Sequence, residues 1–463
     1  MSSGQQLISK NMMFLGMLLL AILYAQGVGG IFFIDDVVSL EGLLQVSDWG
    51  SAVYYVFSGQ AGPLGRPLSF ATFLLHQDAY PTNPAPFIWG NIVIHLLNVL
   101  LLAVAVYRLQ RQQPHLLGVS PWLAPISALM WGALPILVSA SMMVVQRMTS
   151  LSALFVLLGL HCYLSARSAV GDRHWLRLCV GVAGIGVCTL LSMFSKENGA
   201  LLPLLLLVLH TVVCGAALQS EDSTNKFTAI PAGYNVFLGA ALWLPSLVLL
   251  GYIASWLPHL VGEGYRERPF SLMQRLASEA VILWEYLRVA LIPSFMDLSP
   301  FRDDYPIRQF TDTVVQAAIA AWCGVLIAAI WLWRQKANPL LFFALLWYLA
   351  GHLLESTVFP LFLYFEHRNY VPLMGPVVAL VIAFQRLSLP INAKRVIALV
   401  YGAFLAFILW QAASTWGDRQ LLVWAKAHPG SPRALQMLAG AYMRVGRVSE
   451  VDQLYETAIN NNP

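Results

Sequence analysis

Long apolar stretches alternate with short polar breaks from one end of the chain to the other. Eleven of them lie near 12–31, 88–107, 121–141, 149–166, 177–194, 199–217, 235–257, 312–333, 339–356, 370–387 and 396–414. A hydrocarbon core about 30 Å thick takes about 20 apolar residues in a helix, so each stretch is read as a transmembrane helix. The pattern predicts an all-α polytopic membrane protein with about 11 crossings. The first stretch is long and lacks a small-residue cleavage site, so it is read as a retained signal anchor.

Two polar intervals are long, 32–87 and 258–311. In the first, Trp49, Val53 and Phe57 recur at helical spacing with Tyr54 beside them, which predicts a short helix on the membrane surface. Pro63, Gly65 and Pro67 force a turn around Arg66, and the run from Tyr80 to Pro86 is a rigid re-entry into the second span. In the second interval, 276–293 is apolar but carries Glu279, Glu285 and Arg288. It is read as an amphipathic helix at the outer interface and not as a further crossing.

The pattern changes after the last span. Leu435, Leu438, Ala439, Tyr442, Tyr455, Ala458 and Pro463 stand at the offsets of a tetratricopeptide helix pair, and Ala425 to Pro429 reads as the end of a preceding helix. The chain therefore divides into a membrane domain, 1–415, and a tetratricopeptide-like tail, 416–463. One repeat and a half is too little to be stable alone, so the tail is expected to continue the last span, pack on the outer loops or dock a partner.

Composition agrees with this class. The chain is 58% hydrophobic and 11% charged, which excludes an ordinary soluble protein. Its net charge of +4 contains no basic tract, so nucleic acid is not an expected partner. Cys162, Cys179, Cys188, Cys214 and Cys323 have no paired spacing that suggests disulfides or a zinc site. With the N-terminus inside, the inner segments hold Lys10, Arg108, Arg111, Arg167, Arg173, Arg177, Lys226, Arg334, Lys336, Arg386, Lys394 and Arg395. The short outer loops hold one cation each: Arg147, Lys196 and Arg368. The positive-inside rule favours that orientation, with both long loops and the C-terminus outside.

The ionisable residues expected at the outer ends of the spans include Asp35, Asp36, Asp48, Arg66, His95, Arg147, Lys196, Glu197, His352, Glu355, Glu366, His367 and Arg368. Span centres are nearly free of charge, and no acid marks a midplane site of the kind a proton-driven transporter carries. Acids and cations together at a membrane face suit group transfer from a lipid phosphate. Arg and Lys neutralise the departing phosphate, and a carboxylate takes the proton of an acceptor hydroxyl. Asp35 and Asp36 have no basic neighbour in the local sequence. One could act as base while the other positions the acceptor, or both could hold a divalent cation. Each group also has a structural reading: a helix cap for the acid pair, lipid anchors for the cations, and a helix–helix contact for His95 and Asn98. For Glu355 the structural reading is a pair with a neighbouring His or Arg.

Several short motifs resemble, in order, those of the C-type membrane glycosyltransferases that use polyprenyl-phosphate sugars. They are Phe33-Ile34-Asp35-Asp36; Asp48-Trp49; Arg66-Pro67-Leu68; Asn91 with His95-Leu96-Leu97-Asn98; Gln146-Arg147-Met148 with Leu151-Ser152; Ser195-Lys196-Glu197; Leu291-Ile292-Pro293; and Glu366-His367-Arg368 with Tyr370 and Pro372. The similarity is to the branch holding the transmembrane and tetratricopeptide O-mannosyltransferases and bacterial pilin O-glycosyltransferases. Two positions depart from it: Gln146 stands where that branch has Gly, and His367 is inserted between Glu366 and Arg368.

The resemblance implies an inverting enzyme of the bacterial inner membrane acting on the periplasmic side. Asp36 or Asp35 would be the acceptor base. Arg147, Lys196 and Arg368 would bind the donor phosphate, with Asp48, Arg66, His95, Glu197, Glu366 and His367 in support. The donor would be a polyprenyl-phosphate-linked sugar, arabinofuranose among them, and the acceptor an outer-face protein such as a pilin. No metal site or cofactor is assigned, beyond the divalent ion that the acid pair could hold. Two other readings stay open: a lipid or surface-polysaccharide transferase of the same fold, and a non-enzymatic scaffold or flippase.

Overall fold

The computed structural model describes residues 3–59, 61–171, 174–214, 232–335, 338–417 and 421–461. Arg173, Lys226, Lys336 and Pro463 lie outside the described residues, as does the end of the stretch expected at 199–217. Every regular element among the described residues is helical. Eight helices are long and apolar enough to cross a membrane: Leu7–Ala25, Ala85–Gln112, Val144–Val170, Trp175–Ser195, Glu197–Cys214, Val236–His259, Thr313–Arg334 and Ile391–Gly417. A ninth crossing is reached if Leu123–Gly132 and Pro135–Met142, bent by 56° at their junction, count as one. The bend has a covalent cause. Pro135 removes a backbone donor, and Leu134 before it is extended, with φ −64° and ψ 117°.

Two expected crossings differ from the pattern. The helices at Pro339–Gly351 and Met374–Arg386 have 13 residues each, about 20 Å at 1.5 Å per residue. The chain between them, 352–373, does not continue either helix but folds across one end of the bundle. Glycine permits this at two points. A Cβ on Gly351 would come within 2.8 Å of the Pro372 ring, and one on Gly375 within 2.6 Å of the Trp347 indole.

The helices expected to face lipid keep apolar residues outward, among them Val314, Ile327 and Trp331 of one and Leu399 and Val400 of another. Interior contacts use small residues. Gly181 lies on Ala166 and Gly184 on Cys162, the close approach that drives helix packing where lipid removes the hydrophobic gain.

The amphipathic segment expected at 276–293 is the helix Leu272–Leu291. Its charges do not all face outward as expected. Arg275 and Glu279 are buried, 0% and 2% exposed, and pair with each other. The tail forms helices Leu421–Ala427, Pro432–Arg444 and Val448–Asn461. Ser431 caps the second of these, its hydroxyl accepting from Ala434 N at 3.0 Å, with Pro432 at the first helical position. The tail is held to the 295–304 turn. Trp424 stacks on Phe295 and donates to its carbonyl, Ser431 Oγ donates to Asp303 at 2.5 Å, and His428 meets Asp304 at 3.2 Å.

Candidate functional site

The acid pair sits in the helix Ile34–Leu40, at the same end of the bundle as segment 352–373. Phe33 is its extended N-cap, and Asp36, three residues on, reaches back so that Oδ2 accepts from Phe33 N at 2.8 Å. Its other oxygen, Oδ1, accepts from Val145 N at 2.6 Å. Asp36 is fully buried, and burial pushes its carboxyl up to about 7 against the pull of these backbone N–H groups. Asp35 turns elsewhere. It is partly exposed and forms an ion pair with Arg433 of the tail at 2.6 Å. The basic neighbour missing from the local sequence is thus supplied from the far end of the chain. The two acids take different partners, an arrangement that does not fit a cation shared between them. Among the described residues no group of three or more His, Cys, Asp and Glu is placed to hold a metal ion.

Asp48 is an N-cap. Its Oδ1 accepts from Ser51 N at 2.8 Å at the start of helix Trp49–Phe57, and the bonds from Ser51 hold its carboxyl below the usual range. His95 is in the core. Its Nδ1 lies 2.7 Å from the Tyr370 hydroxyl and its Nε2 3.1 Å from the Gly132 carbonyl. The carbonyl can only accept, so the proton is assigned to Nε2 and the Tyr370 hydroxyl donates to Nδ1. Asn98 adds bonds to Tyr370 and to the Ser150 carbonyl. Both side chains therefore serve helix–helix contacts in this structure.

The three loop cations have unlike surroundings. Arg147 is 1% exposed and donates to Asn91 Oδ1, the Thr72 carbonyl and the Phe87 carbonyl at 2.7–2.9 Å, facing the rings of Phe73 and Phe87. Gly90 leaves room for it, since a Cβ there would lie 2.8 Å from Nη2. Lys196 occupies an extended break between two helices, with φ −161° and ψ 140°. Its Nζ meets Glu355 Oε1 at 2.8 Å and donates to Thr149 Oγ1 at 3.0 Å. Asn198 donates to the other Glu355 oxygen at 2.5 Å. Burial lowers Lys196 against the attraction of Glu355. Burial works to raise Glu355, but Lys196, Arg368 and His367 together hold it well below the usual carboxylate range. Short contacts on both carboxylate oxygens favour the ionised pair.

Arg368 donates to the carbonyls of Leu363 and Phe362 at 2.8 and 2.6 Å and lies 3.7 Å from Glu279. Arg275 donates to the carbonyls of Thr357, Leu361 and Glu355. Segment 355–368 therefore wraps two buried guanidinium groups, and this is why it leaves the helical path. Glu279 between them is pushed up to about 7 by burial, against the pull of both arginines. Glu366 and His367 are buried beside Arg368. Burial raises Glu366 to about 7 and lowers His367, which also feels Lys196. Arg66 has φ 50°, the only left-handed residue other than glycine among those described, and pairs with Glu197 at 2.8 Å. That pair ties the first long loop to the break that carries Lys196.

Lys196, His367 and Arg368, together with Thr149, Asn198 and Glu355, line one narrow cleft. Val156, Leu201 and Leu205 give it an apolar side. Val156 also lines a second groove between the helices, bounded by Leu102, Val106, Leu160, Phe343, Trp347 and Met374. A charged cleft and an apolar groove thus lie on the same residue, Val156, and the pair has the polarity of an anion on a hydrocarbon chain. Asp36, Arg147, His95 and Asp48 do not line either space.

Sequence reasoning did not single out Arg275 or Arg433 and read Glu279 only as a charge of an amphipathic helix; the partner it offered Glu355 as a structural alternative was a neighbouring His or Arg, where the structure supplies Lys196. One signal was readable: Arg275 and Glu279 stand four apart on one helix, the spacing of an ion pair. Comparison with known proteins adds no likeness to this geometry: no protein-family model, no curated protein and no solved structure matches the chain.

Proposed function

We propose that this chain is an integral-membrane glycosyltransferase that moves a sugar from a polyprenyl-phosphate carrier to an acceptor at the face where its loops gather. The observation that carries the reading is the cleft of Lys196, His367 and Arg368, with Val156 lining both it and a wholly apolar groove. Lys196 and Arg368 would neutralise the carrier phosphate as it leaves, and the groove would take the isoprenoid chain. A carboxylate of the Asp35–Asp36 turn would accept the proton of the acceptor hydroxyl while the new bond forms at the anomeric carbon. Displacement by that hydroxyl inverts the carbon and releases the carrier phosphate. We assign the proton to Asp35, the partly exposed member, and the anchoring of the turn on Val145 to Asp36.

In this reading the bent pair and the two 13-residue helices complete eleven crossings, and the loop face is the periplasmic face of a bacterial inner membrane. The acceptor is a Ser or Thr hydroxyl of an outer-face protein such as a pilin. Transfer to a lipid or surface polymer is the second reading. It is favoured by the way the short tail is pinned on the loops, which leaves less of it to meet a protein.

Intact-mass spectrometry of outer-face proteins tests the proposal, comparing cells with the wild-type chain, the Lys196→Met/Glu355→Gln double variant, which strands no buried charge, and Asp35→Asn. The expected result is a sugar-sized mass on one protein that both variants lose at wild-type expression. An unchanged protein spectrum with an altered glycolipid profile selects the second reading. No change in either rejects transferase activity.

A further inference from the structure

Arg433 joins three segments that are far apart in sequence. Its Nη2 meets Asp35 Oδ1 at 2.6 Å, its backbone N–H lies 3.3 Å from Asp303 Oδ2, and its guanidinium faces the rings of Phe362 and Phe365 at 5.3 and 5.2 Å. The Phe365 ring also stacks with the His367 imidazole at 5.2 Å and faces the Arg368 guanidinium at 5.4 Å. One aromatic side chain therefore connects the tail arginine to two residues that line the charged cleft. The side chain of Arg433 is 14% exposed, and its Nη1 is buried without a hydrogen-bond partner among the described residues. An arginine head so placed is held by charge and by ring faces together.

Simple attachment of the tail does not require this contact. Trp424 on Phe295, Ser431 on Asp303 and His428 on Asp304 already fasten it to the 295–304 turn. Among the described residues of the three tail helices, Arg433 is the one with an ion pair to the acid pair. We infer that Arg433 is a positioning residue of the site: the tail supplies it to hold the Asp35 carboxylate in place and to seat the Phe365 ring against His367 and Arg368. The inference rests on the transfer reading proposed above and deepens it, because it makes the tail part of the site.

The test uses full-length chains carrying Arg433→Met, Arg433→Lys and Arg433→Ala. Methionine keeps the length and apolar packing of the side chain but removes the charge. Two readouts are taken: the sugar-sized mass on the acceptor, and protection of the tail from trypsin in membranes. The expected result is a docked tail in Arg433→Met with transfer reduced at least tenfold, transfer within about threefold of wild type in Arg433→Lys, and the largest loss in Arg433→Ala. Wild-type transfer by Arg433→Met with its tail docked overturns the inference, since a fastening role alone would give that result. A tail that undocks in Arg433→Met also overturns it, because the residue would then be a fastener. If the wild-type chain itself transfers nothing, to protein or to lipid, the transfer reading falls and Arg433 is no more than a latch. That failure is separate, since it appears without any variant.

Discussion

Lys196 and Glu355 carry the sharpest expectation at the scale of single residues. Each is buried, 5% and 8% exposed, and the two are 2.8 Å apart. Removing one partner strands a charge in a low-dielectric site, which costs about 3–5 kcal/mol, whereas removing both is far milder. Thermal unfolding in detergent is expected to show Lys196→Met and Glu355→Gln each strongly destabilised and the double variant less so than their sum. Additive losses would show that the pair is not coupled. The pH dependence follows from the depressed Glu355 carboxyl. Its contribution is fully present above the ordinary carboxylate value of about 4.3 and is lost as pH falls through the lower folded value. The gap between wild type and Glu355→Gln should therefore close only in acid.

The break that carries Lys196 depends at the element scale on a glycine. A Cβ on Gly199 would overlap the Ser192 backbone and hydroxyl, so the strand-like turn after Trp175–Ser195 can fold back only without a side chain there. Gly199→Ala should cost about 1–3 kcal/mol by overpacking. A melting temperature equal to wild type would mean that the turn has room to spare. Most elements were legible before the structure. Each of the eleven apolar stretches contains a helix or a bent helix pair, because the 20-residue apolar run is a strong signal. The lengths at 339–351 and 374–386 were not legible. Their apolar runs continue past the helix ends, and what stops them is the set of carbonyls between 355 and 363 that bind Arg275 and Arg368, partners that no local pattern displays.

For the whole molecule, the prediction concerns sides. Asp48 and Lys426 are exposed near the gathered loops and the tail, and Arg111 is exposed near the opposite end of its helix. In a background with the five native cysteines replaced, single cysteines at 48 and 426 should react with an impermeant maleimide in intact cells. One at 111 should react only after permeabilisation. Labelling of 48 and 426 from opposite sides would contradict the Asp35–Arg433 pair.

Hydrophobic run length and charge scarcity decide that this is a helical membrane protein, and they act locally, so the sequence by itself determined the class and placed most of the helices. It also marked the acids and cations of the loops, because charge is conspicuous in an apolar chain. Which of those charges meet was decided only by the tertiary structure. The Lys196–Glu355 pair spans 159 positions and the Asp35–Arg433 pair 398, and no periodicity relates residues that far apart. Burial made the same selection among like residues. Arg147 and Lys196 read alike in the sequence, yet one spends its donors on Asn91 and backbone carbonyls while the other opens on the cleft. The physical reason is that a charge taken out of water must find a partner, and only the folded chain determines which partner lies within reach.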